Sequence, residues 1–205
     1  MVSFCDLRLS ELRAHTKNYG NYGIGLSKDW AYRNGLNPVL YLNQNCTLIA
    51  DLMKALDGIY KNVISTENIY SENNSDVLEE SYHKILRTYM YAKNYESDLC
   101  RCDVIKKKNY RFANEREWRY VPDNTDFVPP ASMIGDWKSI RNTKILNRDL
   151  KFGLEDIAYI IIGKDIQRSN LIDHIEKKLG CSYKKDVLQK LSSRIMTVEQ
   201  IQRDI

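Results

Sequence analysis

The run Ile-Ala-Tyr-Ile-Ile-Ile-Gly at residues 157–163 is the strongest signal for a buried strand in this sequence. It is short, rich in β-branched residues and closed by a glycine, a pattern typical of a strand covered on both faces. A strand of this kind needs neighbouring strands and further layers of secondary structure. The run therefore predicts a sheet in the second half of the chain.

Amphipathic helices are predicted mainly in the first half. Residues 46–63 and 78–95 carry apolar side chains at helical spacing, and the polar, turn-rich residues 64–76 predict a flexible connection between them. A chain of 205 residues suits one well-buried domain better than two. The sequence thus predicts a single domain over residues 1–205, of the α+β class, with flanking helices and a central mixed or antiparallel β-sheet that is either continuous or split.

Two glutamates lie in a second predicted strand, Arg-Phe-Ala-Asn-Glu-Arg-Glu-Trp-Arg-Tyr-Val-Pro at residues 111–122. With a period of two, the mostly aromatic face holds Phe112, Arg116, Trp118 and Tyr120, and the mostly charged face holds Glu115, Glu117, Arg119 and Val121. A sheet that buries Trp118 and Tyr120 would turn the two glutamates toward a cleft or solvent. They are then either part of a solvated strand face or a catalytic carboxylate pair; a helix would instead pair Glu115 with Arg119.

Composition limits the partners and the compartment. The formal net charge of +4 permits nucleic acid as a partner without arguing strongly for it. Five cysteines, an odd number, and a start without secretory-signal features indicate a reducing cytoplasm. The histidines are scattered and no second close cysteine pair follows Cys100 and Cys102, so no metal site is predicted. No apolar run is long enough to span a membrane.

Other motifs have structural explanations. No phosphate-binding loop, nucleophile elbow or dinucleotide fingerprint is present, which disfavours the common nucleotide-binding folds. Ser27 stands where it can cap the short helix predicted over residues 28–34. His15, on the first predicted helix, fits a partly buried structural histidine better than a catalytic base.

Several blocks of sequence resemble a known family. Residues 2–10, His15, residues 19–31 and residues 34–41 are similar to the opening block of the AbiGi-like abortive-infection family of bacterial phage-defence proteins. Residues 115–119 and 156–161 are similar to its later blocks, so the resemblance covers most of the chain. It implies a component of a two-gene system, an antitoxin beside a nucleotidyltransferase-like toxin.

The same blocks resemble, more distantly, proteins with the split sheet of ADP-ribosyltransferases. That analogy implies NAD as cofactor, Glu117 as the catalytic carboxylate and Glu115 as its helper toward a protein or nucleic-acid acceptor. It implies Tyr22 and Ser27 as a wall of the nicotinamide pocket, and adds His15 to the NAD-binding residues. Family members usually carry a segment before the block at residues 2–5 that would form the first strand of the NAD site, and this sequence begins at Met1 without it. Partner binding and NAD-dependent transfer are therefore the two functions expected.

Overall fold

The computed structural model of the chain describes residues 1–66, 72–101, 104–122 and 150–203. Its helices are α1 (Leu12–Tyr19), α2 (Lys28–Arg33), α3 (Leu48–Thr66), α4 (Glu72–Met90), α5 (Arg168–Leu179), α6 (Lys185–Ser192) and α7 (Val198–Arg203). Its strands are β1 (Val2–Cys5), β2 (Gly23–Leu26), β3 (Asn37–Pro38), β4 (Leu40–Leu42), β5 (Ala92–Asn94), β6 (Glu96–Arg101), β7 (Val104–Arg111), β8 (Glu117–Tyr120), β9 (Ile157–Ile162) and β10 (Ile195–Thr197). The α+β class predicted from the sequence is confirmed.

The strands described form small sheets that are mixed or antiparallel, with two further strand pairs. One sheet has the order β1-β8-β3 and is antiparallel throughout. Another has the order β10-β9-β2, in which β10 runs parallel to β9 and β2 antiparallel to it. The pairs are β4 with β5, parallel, and β6 with β7, antiparallel. The sheet structure is therefore divided, as in the split arrangement expected.

The chain divides into two compact units. Unit 1 consists of Met1–Cys5 and Leu36–Asp149, and unit 2 consists of Asp6–Gly35 and Leu150–Ile205. Each unit has a three-stranded sheet, with β8 at the centre in unit 1 and β9 at the centre in unit 2. The single domain predicted over residues 1–205 stays a prediction.

Unit 2 is built around β9, which confirms the strand predicted at residues 157–163. Its apolar core joins β9, α5, α6 and β10 through buried side chains: Ile157, Ile162, Ile175, Leu188, Leu191 and Ile195. Gly25 on β2 lies against the Tyr159 ring, since a Cβ atom there would be 2.2 Å from the ring. A glycine in β2 thus lets the neighbouring strand place an aromatic ring against its backbone.

Unit 1 has a helical layer in which α3 packs on α4 through Leu56, Tyr60 and Tyr82. The helix predicted over residues 78–95 is too long at its end, because α4 stops at Met90 and residues 92–94 form β5. Pairing with β4 draws this stretch into a ladder, and Leu40 N donates to Tyr91 O at 2.8 Å. Of the predicted connection at 64–76, residues 64–66 belong to α3, residues 72–76 belong to α4, and residues 67–71 lie outside the described residues.

No helix of the described residues combines the length and the hydropathy needed to cross a membrane.

Candidate functional site

The predicted strand at residues 111–122 is interrupted between its two glutamates. Phe112–Glu115 forms a 3-10 helix, and β8 begins only at Glu117. Arg116 joins the two elements in a left-handed conformation, with φ of 46°. This conformation breaks the alternation of side chains, so Glu115 and Glu117 come from different elements rather than from one strand face.

The orientation of the strand is also opposite to the prediction. Glu115 and Glu117 are each only 3% exposed, and Arg119 is buried as well. Trp118 and Tyr120 are half-buried. The prediction that these carboxylates face solvent or a cleft is therefore wrong, because the charged face of β8 is the face that packs inward.

Lys93 on β5 supplies the counter-charge that makes this burial tolerable. Its ammonium group donates to Glu115 Oε2 at 2.9 Å and also to Glu117 Oε2. Arg119 Nε donates to Glu117 Oε1 at 2.6 Å. We call Lys93, Glu115, Glu117 and Arg119 the buried charge cluster. With two cations and two carboxylates it carries no net charge, as buried ions require.

Further contacts tie the buried charge cluster to the surrounding strands. Ser3 Oγ on β1 donates to Glu117 Oε1 at 2.7 Å. The Arg119 guanidinium donates to the carbonyl of Ala92 at 3.1 Å and to that of Met90. The backbone of Glu117 is satisfied too, since its N–H donates to Tyr41 Oη at 2.8 Å. The cluster thus connects β1, β8 and the segment that leads from α4 into β5.

Hydrogen bonds within the buried charge cluster keep Glu117 and Lys93 ionised. Burial alone would raise the pKa of Glu117, but hydrogen bonds from Arg119, Lys93 and Ser3 outweigh it and hold that pKa below its usual value. Burial likewise opposes the charge on Lys93, and the hydrogen bonds to Glu117 and Glu115 prevail and raise its pKa. Both groups are therefore charged at neutral pH.

Cys5 is a poor nucleophile in this setting. Its side chain is partly open to solvent, but burial of the thiol and the nearby Glu115 and Glu117 carboxylates raise the pKa of Cys5 to about 12. Since the thiolate is the reactive form, a neutral thiol is unreactive at neutral pH.

The remaining predicted site residues lie in unit 2. Ser27 caps α2, accepting a hydrogen bond from Trp30 N at 3.2 Å, so its predicted capping role is confirmed. Tyr22 is 70% exposed and its hydroxyl accepts from Gln167 Nε2 at 2.5 Å. His15 stacks on Tyr19 with 4.3 Å between ring centroids. NAD-binding roles for these three residues stay predictions, as do catalytic roles for Glu115 and Glu117.

Sequence reasoning missed Lys93, which organises the site. It stands 22 residues before Glu115 within the stretch predicted as helix, and β5 has only three residues. A strand this short has no periodic signal, so only its pairing with β4 places Lys93 beside the glutamates.

The described residues hold no group of three or more His, Cys, Asp or Glu side chains placed to bind a metal ion. The donors around Glu115 and Glu117 are instead the cationic groups of Lys93 and Arg119, which repel a metal cation. The chemistry that this arrangement supports best is structural: it fixes two carboxylates by ion pairs.

Comparison with known proteins gives a consistent result. A family model described as "Putative abortive phage resistance protein AbiGi, antitoxin" matches residues 1–163. The "Abortive phage resistance protein AbiGi" of Lactococcus lactis subsp. cremoris is 29% identical over 225 residues, an alignment that covers 100% of this chain and 88% of that protein. No solved structure matches the chain significantly.

Proposed function

This chain belongs to the AbiGi family of abortive phage resistance proteins, and we propose that it acts in the bacterial cytoplasm as an antitoxin that binds and neutralises a partner toxin. The predicted resemblance to this family is confirmed, and the role of the chain lies in abortive phage resistance. The observation that carries the proposal is the family description as an antitoxin, which applies to residues 1–163. The partner would be the nucleotidyltransferase-like protein expected in such two-gene systems.

An antitoxin that works by binding needs an exposed surface suited to a protein partner. On unit 2, Tyr22, Ile24 and Ile166 are 70%, 53% and 81% exposed. Tyr22 directly precedes β2 and Ile24 lies on β2, and Gln167, the neighbour of Ile166, donates to the Tyr22 hydroxyl. We call Tyr22, Ile24 and Ile166 the Tyr22 surface.

The Tyr22 surface includes Ile24 on β2, a strand with one unpaired edge among the described residues, because β2 pairs with β9 alone there. Exposed apolar side chains beside such an edge favour contact with another protein, through side-chain burial and added strand pairing. Tyrosine suits this role since its ring is buried on binding while its hydroxyl keeps a polar contact. This surface supports a function in binding a partner protein, and such a function requires no catalytic step.

The test is neutralisation in cells that also express the toxin encoded beside this chain. We expect the wild-type chain to restore growth and to co-purify with the toxin. Ile24→Lys should weaken both, because it puts a charge into the apolar contact. The matched control is Val77→Lys, which places the same charge at a residue that is 62% exposed on α4 and should leave both unchanged. A wild-type chain that neither binds the toxin nor restores growth would overturn the antitoxin proposal.

The ADP-ribosyltransferase alternative stays a prediction. The contacts described give it no support: both Glu117 carboxylate oxygens already accept hydrogen bonds, from Ser3 and Arg119 on Oε1 and from Lys93 on Oε2. A ribose hydroxyl of NAD would have to displace one of these donors from a side chain that is almost completely buried.

The test of this alternative is incorporation of labelled NAD into macromolecules, and it needs a structural control. Glu117→Gln removes the carboxylate and also disturbs the buried charge cluster. Lys93→Met disturbs the same cluster but leaves both carboxylates. Label that is lost in folded Glu117→Gln and kept in folded Lys93→Met would establish the transferase; no label with the wild-type chain would exclude it for this chain.

A further inference from the structure

Aromatic and cationic side chains lie together in unit 1, where β6 begins and β7 ends. Tyr95 directly precedes β6, and Tyr110 and Arg111 are the last residues of β7. Phe112 follows as the first residue of the 3-10 helix, whose Ala113 N donates to Tyr95 O at 3.3 Å. The backbone thus brings three aromatic residues to one end of the β6–β7 pair.

Two of these rings each have an exposed cation over them. The Arg111 guanidinium lies 5.5 Å from the centroid of the Tyr95 ring, and the Lys107 ammonium lies 5.2 Å from that of the Tyr110 ring. Tyr110 meets Phe112 edge to face, with 5.0 Å between the ring centroids. We call Tyr95, Lys107, Tyr110, Arg111 and Phe112 the aromatic–cation cluster. A cation over a ring keeps its full charge, because the ring attracts it without supplying a counter-ion.

The positive charge of the aromatic–cation cluster is only weakly neutralised by the described residues. The three lysines at residues 106–108 and Arg111 are exposed. Glu96 pairs with Arg111 at 3.4 Å, but these side chains are 41% and 53% exposed, so water screens the pair. Asp98, the other carboxylate of β6, accepts a hydrogen bond from a backbone N–H of β7 at 3.0 Å. Lys107 and Arg111 are therefore available to bind an anionic partner.

A nucleotide offers both of the groups that this cluster is suited to bind. Its phosphate pairs with lysine or arginine, and its base is a flat ring that stacks on tyrosine or on a guanidinium plane. A carboxylate of an acidic protein would pair with the cations but would make no use of the Tyr95 ring, which is 44% exposed. The combination of exposed ring and exposed cations favours nucleic acid.

The exposed ring also separates a single strand from a duplex. In a duplex the bases stack on one another, and only their edges are reachable from the grooves. A single strand leaves the faces of its bases open to stacking on an aromatic side chain. A site with a stacking ring between two cations therefore suits a single strand.

We propose that the aromatic–cation cluster binds single-stranded nucleic acid without sequence preference, with Tyr95 stacking on a base and Lys107 and Arg111 contacting phosphates. Phe112 is a positioning residue: its ring lies 4.7 Å from the Lys93 ammonium of the buried charge cluster and holds Tyr110 from the side. Phosphates and base faces are common to DNA and RNA, so both polymers should bind alike. This activity goes beyond toxin binding, and testing it requires no partner protein.

The experiment measures binding of the full chain to a fluorescein-labelled oligothymidylate of about 20 nucleotides, by fluorescence anisotropy at several salt concentrations. We expect a Kd of about 1–100 µM near physiological salt, the range of sequence-independent binding. An oligouridylate of the same length should bind within about threefold of that value. Duplex DNA of equal length should bind at least about fivefold more weakly, despite its higher charge density, because its base faces are covered.

Variants of the cluster separate stacking from charge. Tyr95→Leu keeps an apolar side chain but removes the ring, so it should weaken binding at least about fivefold without changing the salt dependence. Tyr95→Phe should restore the affinity that leucine loses. Lys107→Gln/Arg111→Gln should weaken binding and lower the slope of log Kd against log salt by roughly 1.4, since each phosphate contact on a single strand contributes about 0.7. Circular dichroism confirms that each variant is folded.

The matched control is a tyrosine beside two lysines in unit 2. Tyr183 is 42% exposed, close to the value for Tyr95, and the adjoining Lys184 and Lys185 are exposed as well. Tyr183→Leu and Lys184→Gln/Lys185→Gln should leave both Kd and salt slope close to wild type.

Four results would overturn the proposal. Equal weakening by the cluster variants and the control variants would reduce the effect to net charge. Duplex binding as tight as that of the single strand would show that no base stacks on the site. Wild-type affinity of a folded Tyr95→Leu chain would remove the stacking residue. A preference above about tenfold for either sugar would contradict contacts to phosphates and bases alone.

Discussion

The central strands of the two units, β8 and β9, are buried by opposite means. β9 lies among isoleucines and leucines, and its neighbours need only be apolar and of suitable size. β8 presents Glu117 and Arg119 to the inside, where each charge depends on a named partner, above all on Lys93. An apolar core loses stability gradually when one side chain is trimmed, whereas a buried charge cluster fails when one partner is removed.

The comparison predicts its largest effect for Lys93→Met. This change leaves Glu115 and Glu117 buried beside each other with Arg119 as the one cation of the cluster. We expect a loss of about 3–5 kcal/mol in the free energy of unfolding, measured by urea denaturation. Ile162→Val in the β9 core should cost only about 0.5–1.5 kcal/mol. Similar losses in the two variants would mean that β8 and β9 are stabilised in the same way.

Acid should destabilise β8 in unit 1 before β9 in unit 2, and one sample can show both. The pKa of Glu117 is lower in the folded chain than its ordinary value of 4.5. Its contribution to stability is therefore complete above about pH 4.5 and is lost as the pH falls through the folded pKa. We expect amide hydrogen exchange of β8 to accelerate in acid before that of β9.

The loss of stability at high pH depends on Lys93, whose pKa is raised above its ordinary value of 10.5. The stability from its charge is complete below that pH and is lost as the pH rises through the folded pKa. If the β8 amides were protected from exchange in parallel with the β9 amides at every pH, the role assigned to the buried charge cluster would be contradicted.

Gly25→Ala should have an intermediate effect, confined to unit 2. The added methyl would stand 2.2 Å from the Tyr159 ring, so the ring or the strand must move. We expect destabilisation of about 1–3 kcal/mol, seen as a lower Tm. The control is Gly58→Ala on α3, where no atom of the described residues lies within 4 Å of the added Cβ apart from the adjoining helix backbone; it should stabilise by about 0.5–1 kcal/mol. An unchanged Tm for Gly25→Ala would show that β2 accommodates a side chain easily.

The smallest effect is expected for Ser27→Ala, which removes the cap of α2. It should cost about 1 kcal/mol, whereas Ser27→Asp keeps an acceptor for Trp30 N and should stay near wild type. Thermal unfolding of both variants measures the difference. If Ser27 instead formed part of an NAD site, Ser27→Ala would change NAD binding while its Tm matched that of Ser27→Asp.

The contrast between β8 and β9 also explains how much could be predicted from the sequence. The apolar run of β9 and the amphipathic pattern of α3 carry their own signals, so these elements were predicted close to where they lie. The cap at Ser27 was equally local. The alternation in β8 was visible too, but alternation does not say which face is buried.

The assumption that aromatic side chains face inward and charges outward failed at β8 for two physical reasons. Lys93, distant in sequence and on a three-residue strand, neutralises the buried carboxylates. Arg116, in a left-handed conformation, offsets Glu115 from the strand face that holds Glu117. Neither effect leaves a trace in the local pattern, so the candidate site required the tertiary structure.

The most direct test of the account asks whether the buried charge cluster serves the fold alone while the chain works as an antitoxin. The double variant Lys93→Met/Glu117→Gln removes one cation and one carboxylate, so the cluster stays electrically balanced. The measurement is growth of cells that express the partner toxin together with this variant, at a temperature where circular dichroism shows it folded. The account predicts that growth is restored as fully as with the wild-type chain. A folded double variant that leaves the toxin active, where the wild type neutralises it, would contradict the account and return Glu117 to the chemistry of the protein.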